Sequence, residues 1–168
     1  MTPKYFVDTY KDDAKQSQVE TGISFIATLA QGAVESAWGS RAPGNNFFGI
    51  KAGKNWTGEK QLLQTSEYSK KDNLKFPEII SIKPVTINGI SMFKYVIKDY
   101  FRKYATPAEC FTDHGKFFLN NQRYAEALKV KSDPRLFVNA IALAGYATDP
   151  NYASTLNKVI SMIEVQLK

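Results

Sequence analysis

The residues from Gly39 to Tyr104 constrain this 168-residue chain most, because they cannot continue the helices on either side of them. Five of the ten glycines (Gly39, Gly44, Gly49, Gly53 and Gly58) fall in the first twenty residues of that segment, which calls for tight turns and close backbone approach. β-leaning runs follow: GEKQLLQTSEY, ISIKPVTI and ISMFKYVIKDYFRKY, the last two separated by Asn88 and Gly89. Asn-Gly between β-branched residues is a strong hairpin signal, since both turn positions need positive φ. Flanking this segment, Thr2-Pro3, Thr106-Pro107, Asp133-Pro134 and Asp149-Pro150 each set a capping side chain before a proline at the first helical position. Thr106 to Glu109 also has capping-box spacing. The spacing predicts helices near 3–16, 23–38, 107–119, 122–130, 134–146 and 150–166. The expected class is α+β: one domain over 1–168, mainly helical, with a β-rich lobe at about 45–104 and a substrate cleft where the lobes meet.

A chain of this length buries enough surface to need no covalent staples. Its single cysteine, Cys110, excludes an internal disulfide and a zinc site built on several thiolates. His114, the only histidine, lies four residues after Cys110 on one predicted helix; two such groups make no metal site, so packing is their expected role. No metal or cofactor is expected. Lys and Arg outnumber Asp and Glu by 22 to 16, a formal charge of +6, which favours an anionic partner. The charges are scattered apart from Lys70-Lys71, so no nucleic-acid partner is expected. The start, MTPKYFVDTYKDD, has no apolar run that could serve as a signal peptide or span, so neither membrane insertion nor a leader is expected. Asn55-Trp56-Thr57 fits a glycosylation pattern, read as coincidence without a leader.

Glu35 is the only charged residue between Glu20 and Arg41. On a helical period, Phe25, Ile26, Leu29, Ala30, Ala33, Val34 and Ala37 form one apolar face, with Ser24, Thr28, Gln31 and Glu35 opposite. An ordinary solvated face is the plain alternative, but such faces carry several Lys and Glu, whereas this one has a single acid. It is read as the wall of a cleft. A carboxyl shielded from water holds its proton, as a general acid near neutral pH must. The helix then gives way to SRAPGNNFFGIK. Asn45 and Asn46 offer amides, and Trp38, Phe47 and Phe48 offer rings, a combination suited to a sugar. By alternation one of Phe47 and Phe48 faces inward, and ordinary core packing is the competing reading for both. Glycoside hydrolysis usually needs a second carboxyl group. Glu67 in QTSEY is the candidate, with Glu59, Glu78 and Asp72 as competitors.

The strings LAQGAVESAWGSR, NNFFGIKA, NWTG, TSEY, FRKY and AGYATDPNYA occur in one order from about Ile23 to Leu156. In this the chain resembles the bacterial glucosaminidase family, peptidoglycan-cleaving endo-β-N-acetylglucosaminidases of lysozyme-like fold found in flagellar rod-capping proteins and autolysins. The resemblance implies that Glu35 is the acid of the family's ES-x-WG motif and Glu67 the acid of its T-x-EY strand motif. It further implies supporting roles for Asp113, in the helix after FRKY, and for Tyr146 of AGYATDP. Tyr146 would orient the substrate acetamido group or a water; Asp113 would shape the site from behind or serve structure alone. The stretch between Tyr68 and Phe101 is much longer than the family's short hairpin, which leaves the setting of Glu67 open.

The implied function is hydrolysis of the β-1,4 bond after N-acetylglucosamine in cell-wall glycan, by a monomer. Glu35 would act as acid, with either Glu67 activating water or the substrate's acetamido oxygen attacking. A muramidase or lytic transglycosylase of similar fold, and a non-catalytic wall-docking module, are the alternatives. The expected setting is a phage endolysin or a delivered effector.

Overall fold

The computed structural model describes residues 1–168 and divides into two compact units. The first joins Met1–Gly49 to Tyr104–Lys168 and is helical; the second, Ile50–Lys103, carries the sheet.

In the helical unit, α1 (Pro3–Thr21), α2 (Phe25–Glu35), α3 (Pro107–Leu119), α4 (Ala125–Leu128), α5 (Pro134–Leu143) and α6 (Tyr152–Gln166) share one core. The capping reading holds at three of its four sites. Thr2, Thr106 and Asp133 side chains accept the N–H groups of Tyr5, Glu109 and both Arg135 and Leu136. At the fourth, Asp149 accepts the N–H of Asn151, and that turn delays α6 to Tyr152. The first helix runs to Thr21, five residues beyond its expected end, where Gly22 at φ 72 closes it. A single turn of 3-10 helix, Gln122–Tyr124, precedes the short α4 where one helix over 122–130 was expected.

The second helix departs from the expected pattern in two ways. It is packed against α1, α3, α5 and α6, so that Ala27 to Ala33 are all buried, and a helix enclosed all round needs no polar face. Ser24, Thr28 and Gln31, read as a cleft wall, are therefore interior, at 4%, 5% and 1% exposure. The helix also stops at Glu35 rather than 38. Ala37, Trp38 and Gly39 follow in left-handed conformations (φ 51, 58 and 79). That geometry costs about 1–2 kcal/mol for each non-glycine residue. Ser36 offsets it by donating from Oγ to the Gly32 carbonyl and accepting the Gly39 N–H at 2.8 Å. A Cβ on Gly39 would come within 3.2 Å of the Tyr10 ring, so this corner needs glycine for space as well as for φ.

The second unit is one antiparallel sheet of order β1-β3-β2, made of β1 (Lys60–Ser69), β2 (Glu78–Ile87) and β3 (Ile90–Arg102). Asn88 and Gly89, both at positive φ (50 and 77), turn β2 into β3 as the Asn-Gly signal predicts. The pairing of β1 with β3 runs from Lys60 opposite Arg102 to Ser69 opposite Phe93. The long stretch after Tyr68 thus forms the loop, the edge strand β2 and most of the central strand. A bulge between Ile79 and Ser81 leaves Ile80 as the extra residue of the edge strand.

No helix is long and apolar enough to cross a membrane.

Candidate active site

In the helical unit the acid, two tyrosines, a glutamine and the histidine form one connected group. Glu35 is the last residue of α2, so its side chain projects where the backbone turns away into the left-handed corner. Glu35 as a whole is an exposed residue, yet enough protein atoms surround its carboxyl to cost it part of its hydration. That desolvation raises its pKa above the ordinary carboxylate range, opposed only by a hydrogen bond from Tyr152. The Tyr152 hydroxyl donates to Glu35 Oε1 at 3.5 Å, the outer limit of such a bond, and accepts from Gln31 Nε2 at 3.1 Å. Gln31 lies one helical turn before Glu35, which explains why this buried amide belongs to the site.

Tyr146 lies in the turn after α5, where its N–H bonds to the Ile141 carbonyl and Gly145 takes φ 80. Its ring lies 5.5 Å from that of Tyr152, and its hydroxyl is 2.9 Å from His114 Nε2. Burial raises the pKa of both phenols, with the neighbouring Glu35 charge adding to the effect, so both stay protonated donors. His114 is buried on α3, its ring stacked on Phe48 at 3.7 Å and 12°. Burial lowers its pKa to about 3, so it is neutral near neutral pH. Because the unfolded chain binds a proton near 6.5, His114 contributes stability that is lost as pH falls from about 6.5 toward 3. Its ring proton shifts, followed by NMR, are therefore expected to stay flat between about pH 5 and 8; a titration midpoint near the ordinary value would contradict the neutral, buried imidazole.

The other predicted residues divide. Phe47 is 2% exposed and packs edge-on against Tyr10 at 4.9 Å and tilted against Phe111 at 5.0 Å. It is a core residue, and its faces are unavailable to a sugar. Phe48 is half-buried and stacks on His114; both rings lie in a turn rather than a strand, so the expected inward–outward alternation does not apply. Asn45, at φ 57, donates from Nδ2 to the carbonyls of Tyr104 and Ala105, and Asn46 is buried at 3% exposure. Asn45 thus ties the loop to the chain returning from the sheet, which occupies the amide assigned to substrate. Trp38 keeps an exposed part while meeting Phe6 edge-on at 5.6 Å. Asp113 accepts the Tyr104 hydroxyl at 2.6 Å, which fastens the start of the segment leading into α3. In the sheet unit, Glu67 lies on β1 opposite Tyr95 and is ion-paired with Lys51. Among its competitors, Glu59 and Glu78 pair with Lys103 and Lys98, and Asp72 is exposed.

Tyr152, Gln31 and His114 were not assigned to the site from sequence. Tyr152 belongs to the AGYATDPNYA string and was open to notice there. Gln31 was placed on the same helix face as Glu35 but given no role, and His114 carried no signal, because a packed imidazole looks the same in sequence whether or not a site uses it.

Comparison with known proteins agrees with this architecture. The family model described as mannosyl-glycoprotein endo-beta-N-acetylglucosaminidase matches residues 11–165. The peptidoglycan hydrolase FlgJ of Vibrio parahaemolyticus is 32% identical over 169 residues, covering 97% of this chain and 48% of its own length. The chain thus spans about half of that relative. A C-terminally truncated glycoside hydrolase domain of Salmonella typhimurium FlgJ superposes with a TM-score of 0.72 at 28% identity, covering 98% of this chain and 99% of that one. The catalytic domain of the autolysin Auto from Listeria monocytogenes gives a TM-score of 0.73 at 25% identity, with 99% and 88% covered. The helices and small antiparallel sheet are the architecture these structures share.

Proposed function

Because the chain belongs to the glucosaminidase family, we propose that it hydrolyses the β-1,4 bond following N-acetylglucosamine in bacterial cell-wall glycan strands. Glu35 carries this reading. It is a carboxyl at a helix end whose pKa is raised by partial desolvation, as proton donation to a leaving glycosidic oxygen requires. Protonated Glu35 gives its proton to that oxygen, the bond to the anomeric carbon breaks, and positive charge develops on the sugar ring. Glu67 then activates the attacking water, or orients the acetamido group whose oxygen attacks in its place. Tyr146 and Tyr152, held protonated, supply hydroxyl donors beside the acid, and neutral His114 fixes the Tyr146 hydroxyl. Trp38 and the exposed part of Phe48 offer apolar faces to the glycan. Asp113 acts through Tyr104, on the backbone rather than on substrate.

Digestion of purified wall followed by mass spectrometry tests the bond assignment. Products ending in reducing N-acetylglucosamine are expected. Reducing muramic ends would reassign the chain as a muramidase, anhydro-muramic ends as a transglycosylase, and no release at all would leave a wall-docking module. The substitution Glu67→Gln is expected to lower kcat by about 10²-fold or more, as for loss of an acid–base group; an unchanged rate would remove Glu67 from the reaction.

A further inference from the structure

The NNFFGIKA string contains, after its aromatic residues, a lysine to which no role has been given. Lys51 Nζ lies 2.5 Å from Glu67 Oε1 and 3.0 Å from Asp99 Oδ2, so one ammonium joins two carboxylates. Lys51 and Asp99 are each held from behind, whereas the Glu67 carboxylate is held by Lys51 itself. Lys51 bridges to Phe101, while its neighbours Ala52 and Ile50 bond to Tyr100 and Arg102, which fixes the backbone against β3. Asp99 Oδ1 accepts the N–H of Tyr100 at 2.8 Å, leaving Oδ2 turned to the lysine.

The strand register explains why a lysine is needed there. Leu63 pairs with Asp99, Thr65 with Ile97 and Glu67 with Tyr95, so Glu67 and Asp99 project from the same face of the sheet. They are about four strand residues apart along that face, roughly 13 Å between backbones, too far for the two short side chains to meet. The long lysine spans the interval. The extended stretch after Tyr68 adds a wall to the arrangement. Tyr95 donates its hydroxyl to the Lys71 carbonyl and receives the Leu74 N–H, and Phe76 stands 5.5 Å from the Tyr95 ring and 6.0 Å from Lys51 Nζ.

We propose that Lys51, oriented by Asp99, is a positioning residue that holds the Glu67 carboxylate in its working orientation. This rests on the glucosaminidase reading, in which Glu67 takes part in the reaction. A glutamate side chain at the edge of a sheet samples many rotamers, and freezing it before substrate arrives removes that ordering from the barrier. The pairs are part-exposed, with 43% of Lys51 and 36% of Glu67 accessible, so they add little to stability. Their effect falls on the rate instead.

The test compares wild type with Lys51→Met, Lys51→Arg and Asp99→Asn on solubilised, peptide-free wall glycan. Lys51→Met is expected to lower kcat by about 10–100-fold, in keeping with the effect of misplacing a reacting group, with KM within about twofold and an unchanged melting temperature. Lys51→Arg restores most of the rate, because a guanidinium can span the same two carboxylates, and Asp99→Asn falls between. A Lys51→Met enzyme with wild-type kcat, or one whose loss lies in KM or in melting temperature, overturns the proposal. NMR of the lysine side-chain ammonium supplies a readout independent of cleavage. The Lys51 Nζ resonance is expected to be visible in wild type and to broaden into solvent exchange in Glu67→Gln and in Asp99→Asn. A resonance indifferent to both substitutions overturns the clamp. Failure of wild type to cleave glycan while the NMR result holds overturns the functional reading on which the proposal rests.

Discussion

Glu35→Gln is expected to abolish glycan cleavage for practical purposes, with kcat reduced by about 10²–10⁴-fold, the range for loss of a general acid. At neutral pH the substituted protein is as stable as wild type or slightly more so. Both halves follow from the crowding of one carboxyl at the end of α2. Desolvation favours the neutral form, so the folded protein holds the Glu35 proton to higher pH than the unfolded chain does. Between the unfolded and folded pKa values the native state binds more protons, so stability falls as pH rises through that window. Glutamine keeps the shape and removes that loss. The same sign governs the expected rate profile: with protonated Glu35 as the acid, activity is expected to decline on the alkaline side as Glu35 ionises, above the ordinary carboxylate pKa. Rates of reducing-sugar release across pH, with thermal melts at pH 7, check both. A Glu35→Gln variant that cuts within tenfold of wild type would remove Glu35 from the acid role, and one that melts well below wild type would contradict the desolvation of its carboxyl.

The largest expected effect on stability is that of Phe111→Ala. Phe111 is completely buried on α3 and lies 5.0 Å from Phe47 and 6.0 Å from Phe48 by ring centroids. It also closes on α2, since a Cβ at Gly32 would stand 3.5 Å from its ring. Removing the ring leaves a cavity where α3, α2 and the loop after α2 converge. The expected loss is about 3–5 kcal/mol, as for other buried Phe→Ala changes. At about 2–4 °C per kcal/mol for a chain of this size, the melting temperature falls by roughly 6–20 °C. Calorimetry and urea midpoints measure it, and a loss under about 1 kcal/mol would show that the neighbouring rings close the gap. Gly32 is three residues before Glu35, so residual activity is expected to fall faster with temperature than in wild type.

Much of the fold was legible because its signals are local. A threonine or aspartate before proline predicts a helix start from two adjacent residues, and α1, α3 and α5 begin where those pairs lie. Asn88-Gly89 likewise specifies its turn from its own φ preferences. The end of α2 was not legible, since Ala37 and Trp38 are residues that ordinarily avoid positive φ. Their conformation is imposed by the hydrogen bonds of Ser36 and the packing of Trp38 on Phe6. The polar side of α2 was misread for a related reason: Ser24, Thr28 and Gln31 resemble a wetted face until the helices that cover them are known.

Sequence by itself determined the class of the fold and singled out Glu35, because an acid alone in an apolar run is visible without any neighbour in space. Tertiary structure alone decided the company each acid keeps. Gln31 meets Tyr152 across 121 residues and His114 meets Tyr146 across 32. Lys51 reaches Glu67 because strand register sets the two carboxylates on one face of a sheet. The physical reason is one of range. Caps, turns and periodicity act over a few residues, whereas desolvation and orientation of a side chain depend on whatever the folded chain brings beside it.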